Sequence, residues 1–333
     1  MNFLDKCSVL HGVASLNNDV FIAVMNDSLA EERVQHAIPL WHHHNAWSSI
    51  PQEPVVPWLA AGLAEMARPD HQMVMVGWGG QVLSVNNQAC AREGILRRDQ
   101  QPVSIIRSVA AVDGAVYTAG MRRQVHKKTD GNAWLDIDRG LVYGGENFDI
   151  GLNAIDGFDQ SELYAVGLGG EIWQGHGQGQ GHHWEPIASP TNVHLHSLCC
   201  GDDGFVYAGG RAGVLLRGRY DVWEILDIGI TETIWGVKWF EARLYLVIGS
   251  ALYSWNQHDL LAVRYEQMDA ANFLCLSCSA DSLWAFGRKM IFQYHAKTWR
   301  SLSTVMAESE LDGRLVKFFN DDVMKEGSDD LMV

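Results

Sequence analysis

Histidine is the residue type in this sequence best suited to chemistry, and it occurs in three groupings. His11 and His196, together with Arg107 and Asn153, each stand immediately before a small residue in a strand-like stretch, at Gly12, Ser197, Ser108 and Ala154. If those stretches are equivalent, the four polar groups reach one level and could bind a small ligand or a metal ion; the competing use is hydrogen bonding between packed elements. His194 and His196 are spaced to share one face of a strand and form the better metal pair, but no third ligand accompanies them. LWHHHNAW at 40–47 contributes His42, His43 and His44, and GHGQGQGHH ends in His182 and His183. Adjacent residues cannot all converge on one ion without special backbone geometry, so both stretches read as polar surface loops rather than metal centres. The six cysteines, Cys7, Cys90, Cys199, Cys200, Cys275 and Cys278, form no spaced framework. The pair in CLSC at 275–278 would point to opposite faces of a strand, which suits reduced core residues. No metal or other cofactor is expected.

A second possible chemistry is phosphate binding by LYAVGLGGEIWQ at 163–174, where Gly167, Gly169 and Gly170 follow a strand-like run. A phosphate loop must lead into a helix whose free backbone amides hold the anion. Here the chain continues as alternating, β-prone Glu171-Ile172-Trp173-Gln174, so the glycines serve a tight reversal between two strands.

The same unit recurs. MVMVGWGGQVL at 73–83, VYTAGMRRQV at 116–125 and VYAGGRAGVLL at 206–216 repeat it, and RLYLVIGSALYSW at 243–255, SLWAFGRKMIFQY at 282–294 and DVFIAVMND at 19–27 are shorter or degenerate copies. The turn-opening residues are Val24, Gly77, Gly120, Gly167, Gly210, Ile248 and Gly287, separated by between 38 residues (Gly210 to Ile248) and 53 residues (Val24 to Gly77). Strand repeats of about 40 to 45 residues are those of propeller blades. Upstream of each turn lies a strand with a small residue, Gly12, Gly62, Ser108, Ala154, Ser197, Gly236 or Cys275. Downstream, Trp47, Trp134, Trp184, Trp223 and Trp299 open a further strand, which blades two and six lack a tryptophan to mark. Each unit is therefore read as four strands, a to d, and the chain as all-β: a seven-bladed β-propeller of four-stranded antiparallel blades. Helix formers gather only near SLAEERVQHA at 28–37.

On these residues the repeat resembles the WD40/YVTN/BNR-like superfamily of β-propellers, and YAVGLGGEIWQ followed by a tryptophan strand is similar to repeats of photosystem II stability and assembly factors. The resemblance spans about residues 9–302; TDGNAW at 129–134 is a degenerate copy of the Asp-box signature, and the WD dipeptide and Gly-His pair of true WD40 repeats are absent. It implies a seven-bladed ring and a protein-binding role. Its enzymatic relatives imply the alternative, a sialidase- or lyase-like propeller enzyme with a site at the central axis, but no arginine triad or tyrosine nucleophile can be assigned here.

The expected organisation is an N-terminal arm over 1–8, the propeller over 9–312 and an acidic tail over 313–333, with ring closure through either MNFL or RLVKFF at 314–319. Asp5 and Lys6 interrupt the N-terminus where a signal peptide needs an unbroken apolar stretch, and no apolar run approaches membrane-spanning length, so a cytoplasmic, monomeric protein is expected. A net charge of −15 argues against nucleic acid or an anionic membrane as partner. The charge is also sorted. The a–b turns carry Asp19, Asp70, Asp113, Asp159, Glu162, Asp202, Asp203, Glu241 and Asp281, whereas the b–c turns carry Arg122, Arg123, Arg211, Arg288 and Lys289. Asp favours turns whatever the function, but Arg does not, so the basic rim is the sharper signal. With Trp78 and Leu168 it forms the expected binding surface for a partner protein. Function is accordingly expected to be non-catalytic: either an assembly or scaffold factor, or an immunity-type protein neutralising a toxin, for which an acidic body would suit a basic partner.

Overall fold

A computed structural model describes residues 2–50, 52–67, 71–86, 89–95, 102–129, 133–141, 150–177 and 181–306. The b-strand sequences are the most apolar of each repeat, and all are buried almost throughout: VFIAVMN, QMVMVG, AVYTAG, ELYAVG, VYAGG, RLYLVI and SLWAFG. A strand apolar on both faces must be covered on both faces, and here a neighbouring blade lies against each side.

Seven four-stranded antiparallel sheets result. Blade 1 is β1 (Cys7–Ala14), β2 (Val20–Asn26), β3 (Ile38–His43) and β4 (Ala46–Ser49); blade 2 is β5 (Ala60–Met66), β6 (Gln72–Gly77), β7 (Gln81–Val85) and β8 (Cys90–Gly94). Blade 3 is β9 (Ile106–Val112), β10 (Ala115–Gly120), β11 (Val125–Lys128) and β12 (Trp134–Asp136); blade 4 is β13 (Leu152–Asp159), β14 (Glu162–Gly167), β15 (Ile172–His176) and β16 (His183–Ile187). Blade 5 is β17 (Leu195–Cys200), β18 (Val206–Gly210), β19 (Leu215–Arg219) and β20 (Val222–Leu226). Blade 6 is β21 (Ile234–Phe240), β22 (Arg243–Ile248), β23 (Ala251–Trp255) and β24 (Leu260–Ala262); blade 7 is β25 (Phe273–Cys278), β26 (Ser282–Gly287), β27 (Ile291–His295) and β28 (Thr298–Ser301). The glycine reversals at 167–170 are hairpin turns between strands b and c, as their sequence requires. The α-helix α1 (Asp27–Glu31) lies in the b–c connection of blade 1, at the start of the helix-prone stretch.

Apolar side chains sort into seven clusters, one between each pair of adjacent blades. The cluster joining blade 7 to blade 1 contains Trp284, Phe286 and Ile291 from one side and Val9, Ile22 and Leu40 from the other, so the ring closes by the same side-by-side packing used elsewhere, without exchange of a strand. The N-terminal segment reinforces the seam: Phe3 N–H donates to Thr304 O at 3.0 Å, and Asn2 bridges Val305. Strand β1 already begins at Cys7, inside the stretch expected as an arm, while 314–319 and the acidic tail lie outside the described residues.

Candidate functional site

The innermost strands carry a feature that spacing alone did not show. In every blade the register between strands a and b skips one residue, a β-bulge at the same place each time. The skipped residues are Arg107, Asn153, His196 and Trp235 in blades 3 to 6 and Leu274, Leu10 and Ala61 in blades 7, 1 and 2. A bulge re-aims its extra residue out of the alternation of the strand, and all seven line one axial cavity of about 640 Å³. The structure thus brings together Arg107, Asn153 and His196 at one level. His11 is displaced by one position: it pairs with Ala23 where blade 2 pairs Gly62 with Val76, so Leu10, not His11, is the bulge residue of blade 1. Gly12 is nevertheless required, since a Cβ there would lie 2.2 Å from the Phe286 ring.

Burial holds both axial histidines neutral. It pulls the pKa of His11 to about 4, and that of His196 to about 4, with the positive charges of Arg211 and Arg107 and neighbouring His194 adding to the effect. The His196 ring lies against Trp235 with centroids 4.6 Å apart. His194 does not join it as a ligand pair: its Nδ1 accepts from Gly169 N–H at 2.9 Å, and the bulge takes His196 out of the shared strand face. Deeper in the channel, burial disfavours charge on Lys238, but Asp156 and the neighbouring thiols of Cys278, Cys199 and Cys200 together outweigh it and the pKa is raised. The thiols of CLSC diverge, Cys275 towards Gly12 O and Cys278 towards Trp239 O; burial pushes Cys278 up to about 11 and Cys275 up to about 12, so both are unreactive.

The loop readings of the histidine runs are corrected by the pairing. His42 and His43 belong to β3, with His42 buried against Trp47, and only His44 occupies the β3–β4 turn. His182 is buried and His183 opens β16. Among the described residues no three His, Cys, Asp or Glu side chains converge as a metal site would require.

The b–c turns and the d–a connections share one end of the ring. Trp78, 54% exposed, lies beside Ile105, 50% exposed, where Ile106 N–H donates to Trp78 O at 2.8 Å. Arg211 and Arg288 are exposed on the same end, and Leu168 and Arg122 are half-buried. Two cations of this rim are committed within the chain. Arg123 donates to Glu171 at 2.6 Å and stacks on Trp173, tying blade 3 to blade 4; Lys289 donates to Leu4 O, Cys7 O and Asp27, fastening the N-terminal segment. Trp235 and Ile105, exposed aromatic and aliphatic residues of this end, carry no repeat signal and were not singled out by sequence.

At the opposite end, much of the acidity is turn chemistry. Asp159 accepts from Ser161 and Glu162, which holds its carboxyl below the usual carboxylate range; Asp281 accepts from Asn18 of blade 1, with the same effect. Glu162 pairs with Arg219 at 2.8 Å. Asp70 lies outside the described residues, as does part of the 129–134 stretch.

The sequence is 32% identical over 303 residues to the immune protein Tsi7 of Pseudomonas aeruginosa, covering 88% of this chain and 96% of that protein. No protein-family profile matches the sequence. Among solved structures, virginiamycin B lyase from Staphylococcus aureus superposes with a TM-score of 0.63 at 8% identity, covering 84% of this chain and 92% of that one. YCF48 bound to D1 peptide gives 0.61 at 14% identity over 87% and 93%, and YCF48 from Cyanidioschyzon merolae gives 0.62 at 11% over 86% and 95%. At such identities these structures speak for the propeller fold alone.

Proposed function

The chain belongs to the family of the immune protein Tsi7, and from that premise we propose that it is an immunity protein, a non-catalytic propeller that binds and neutralises one toxin protein. The observation that carries this is a 32% identity extending over 88% of the chain and 96% of the relative, so that the whole ring is shared rather than one blade. The lyase and assembly-factor neighbours supply no competing argument, because their likeness is one of fold. Six cysteines, none of them in a disulfide, suit the reducing cytoplasm in which such a protein would meet its toxin.

We assign recognition to the b–c end. Trp78 offers an exposed aromatic anchor, Leu168 a half-buried apolar contact, and Arg211 and Arg288 exposed cations, with Arg122 beside them. Arg123 and Lys289 complete the basic rim from paired positions and act chiefly by holding its turns in place. The test is co-expression with a candidate toxin, sought first among the genes beside the one that encodes this chain. Growth should be restored and a one-to-one complex should co-purify, with an affinity in the nanomolar range, about −12 kcal/mol. Continued toxicity with no complex would refute the assignment.

A further inference from the structure

We propose that the bulge ring at the axis is a receptor for a carboxylate carried on an aliphatic stem. The ring is divided by chemistry. At the bulge positions four consecutive blades supply Arg107, Asn153, His196 and Trp235, and the other three supply Leu274, Leu10 and Ala61, with neutral His11 next to Leu10. A site with a polar arc facing an aliphatic arc fits a ligand with one charged end and an apolar remainder, which neither a metal ion nor a fully polar solute provides.

The polar arc is also unsatisfied. Asn153 and Ser197 are 7% and 8% exposed, both line the cavity, and Asn153 Oδ1, Ser197 Oγ and His196 Nε2 have no hydrogen-bond partner. Buried polar groups are normally paired, and leaving one unpaired costs about 1–3 kcal/mol; with His11 Nδ1 there are four around one cavity, and of these the Ser197 hydroxyl and the His196 ring can donate to a ligand that accepts. The sign of the ligand follows from the cations. Arg107 is exposed and makes no ion pair among the described residues, and Arg211 lies close enough to depress His196. The acids that line the cavity come later in the chain, towards the a–b end: Glu65 in β5, Asp113 in the turn after β9, and Asp156 in β13, where Lys238 balances it. A carboxylate at the mouth would take the Arg107 guanidinium on one oxygen and the His196 N–H or Ser197 hydroxyl on the other, with its stem against Leu274 and Leu10. Such a group could come from an acidic side chain or chain terminus of a partner protein, or from a free small acid.

Calorimetric titration of the full chain with hexanoate and with uncharged hexanamide tests this. Hexanoate should bind saturably in the millimolar range or tighter, and hexanamide at least about tenfold more weakly. Arg107→Gln, at an exposed position where folding survives, should weaken hexanoate by about tenfold and leave hexanamide unchanged, and Arg107→Lys should restore part of the difference. Absence of saturable hexanoate binding, equal binding of acid and amide, or indifference to Arg107→Gln would each overturn the proposal. The titration needs no toxin, so failure of the immunity assignment leaves its result standing. Competition between hexanoate and the toxin would place the carboxylate on the partner, whereas simultaneous binding would identify a free acid; in either case the receptor exists.

Discussion

Gly170 shows at one residue why the reversals are built as they are. Its φ is +77°, and a Cβ there would lie 2.3 Å from Thr191 O, whereas Gly169, also left-handed at +66°, has open space around it. The equivalent turn of blade 5 has Ala212 in the roomy place, at φ +53°, and keeps Gly213 in the tight one, where a Cβ would lie 2.1 Å from Ile230 O. Gly170→Val should therefore lower stability by about 3 kcal/mol in denaturant unfolding, while Gly169→Ala should cost under about 1 kcal/mol. Neither should change binding of ATP, because the turn has no phosphate site to lose. His11 gives a pH signature. Its folded pKa, about 4, is below its unfolded value of 6.5, so between those values the unfolded chain holds the extra proton and stability declines as the pH falls. That slope should flatten in His11→Gln, measured as melting temperature from pH 7 to pH 4.

At the scale of strands and blades, pairs between neighbours decide stability. Lys128 of β11 is fully buried, donates to Glu93 of β8 at 2.6 Å and lies over the Trp134 ring, joining blade 3 to blade 2. Glu93→Gln should destabilise the ring by about 3 kcal/mol, because it leaves a buried ammonium without its counter-charge; the loss is read from the denaturation midpoint. The outer tryptophans do related work unequally. Trp184 donates to Ile137 O and Trp47 to Ser303 O, each at 2.7 Å and each across a blade boundary, whereas Trp223 donates locally to Tyr220 O. The repeat itself was legible because turn glycines and strand-opening tryptophans are local signals with a fixed period. The bulges were not, since a skipped residue such as Asn153 changes direction without changing composition. Nor was the pairing of Lys128 with Glu93, which lie 35 residues apart and come together only when two blades pack. Arg123 is a similar case: its left-handed φ of +58° and its partner Glu171 belong to the packed ring, not to the RR dipeptide.

For the molecule as a whole, an acidic body with exposed cations and aromatic residues at one end has a directional field. Arg211 and Arg288 are exposed and make no ion pair among the described residues, and so remain available to steer a partner, while Trp78 and Ile105 offer apolar contact beside them. The opposite end retains Asp202 and Asp203, of which Asp203 already accepts from Tyr207 at 2.6 Å. The most direct test of the central claim is surface plasmon resonance with the toxin recovered by co-expression, comparing the native chain with Arg211→Glu/Arg288→Glu, with Trp78→Ala and with Asp202→Lys/Asp203→Lys at two salt concentrations. Charge reversal at the arginines should slow association by about tenfold or more and change its salt dependence, and loss of Trp78 should speed dissociation, while the aspartate changes leave binding near native. Native affinity in the arginine and tryptophan variants, with loss confined to the aspartate variant, would contradict the account.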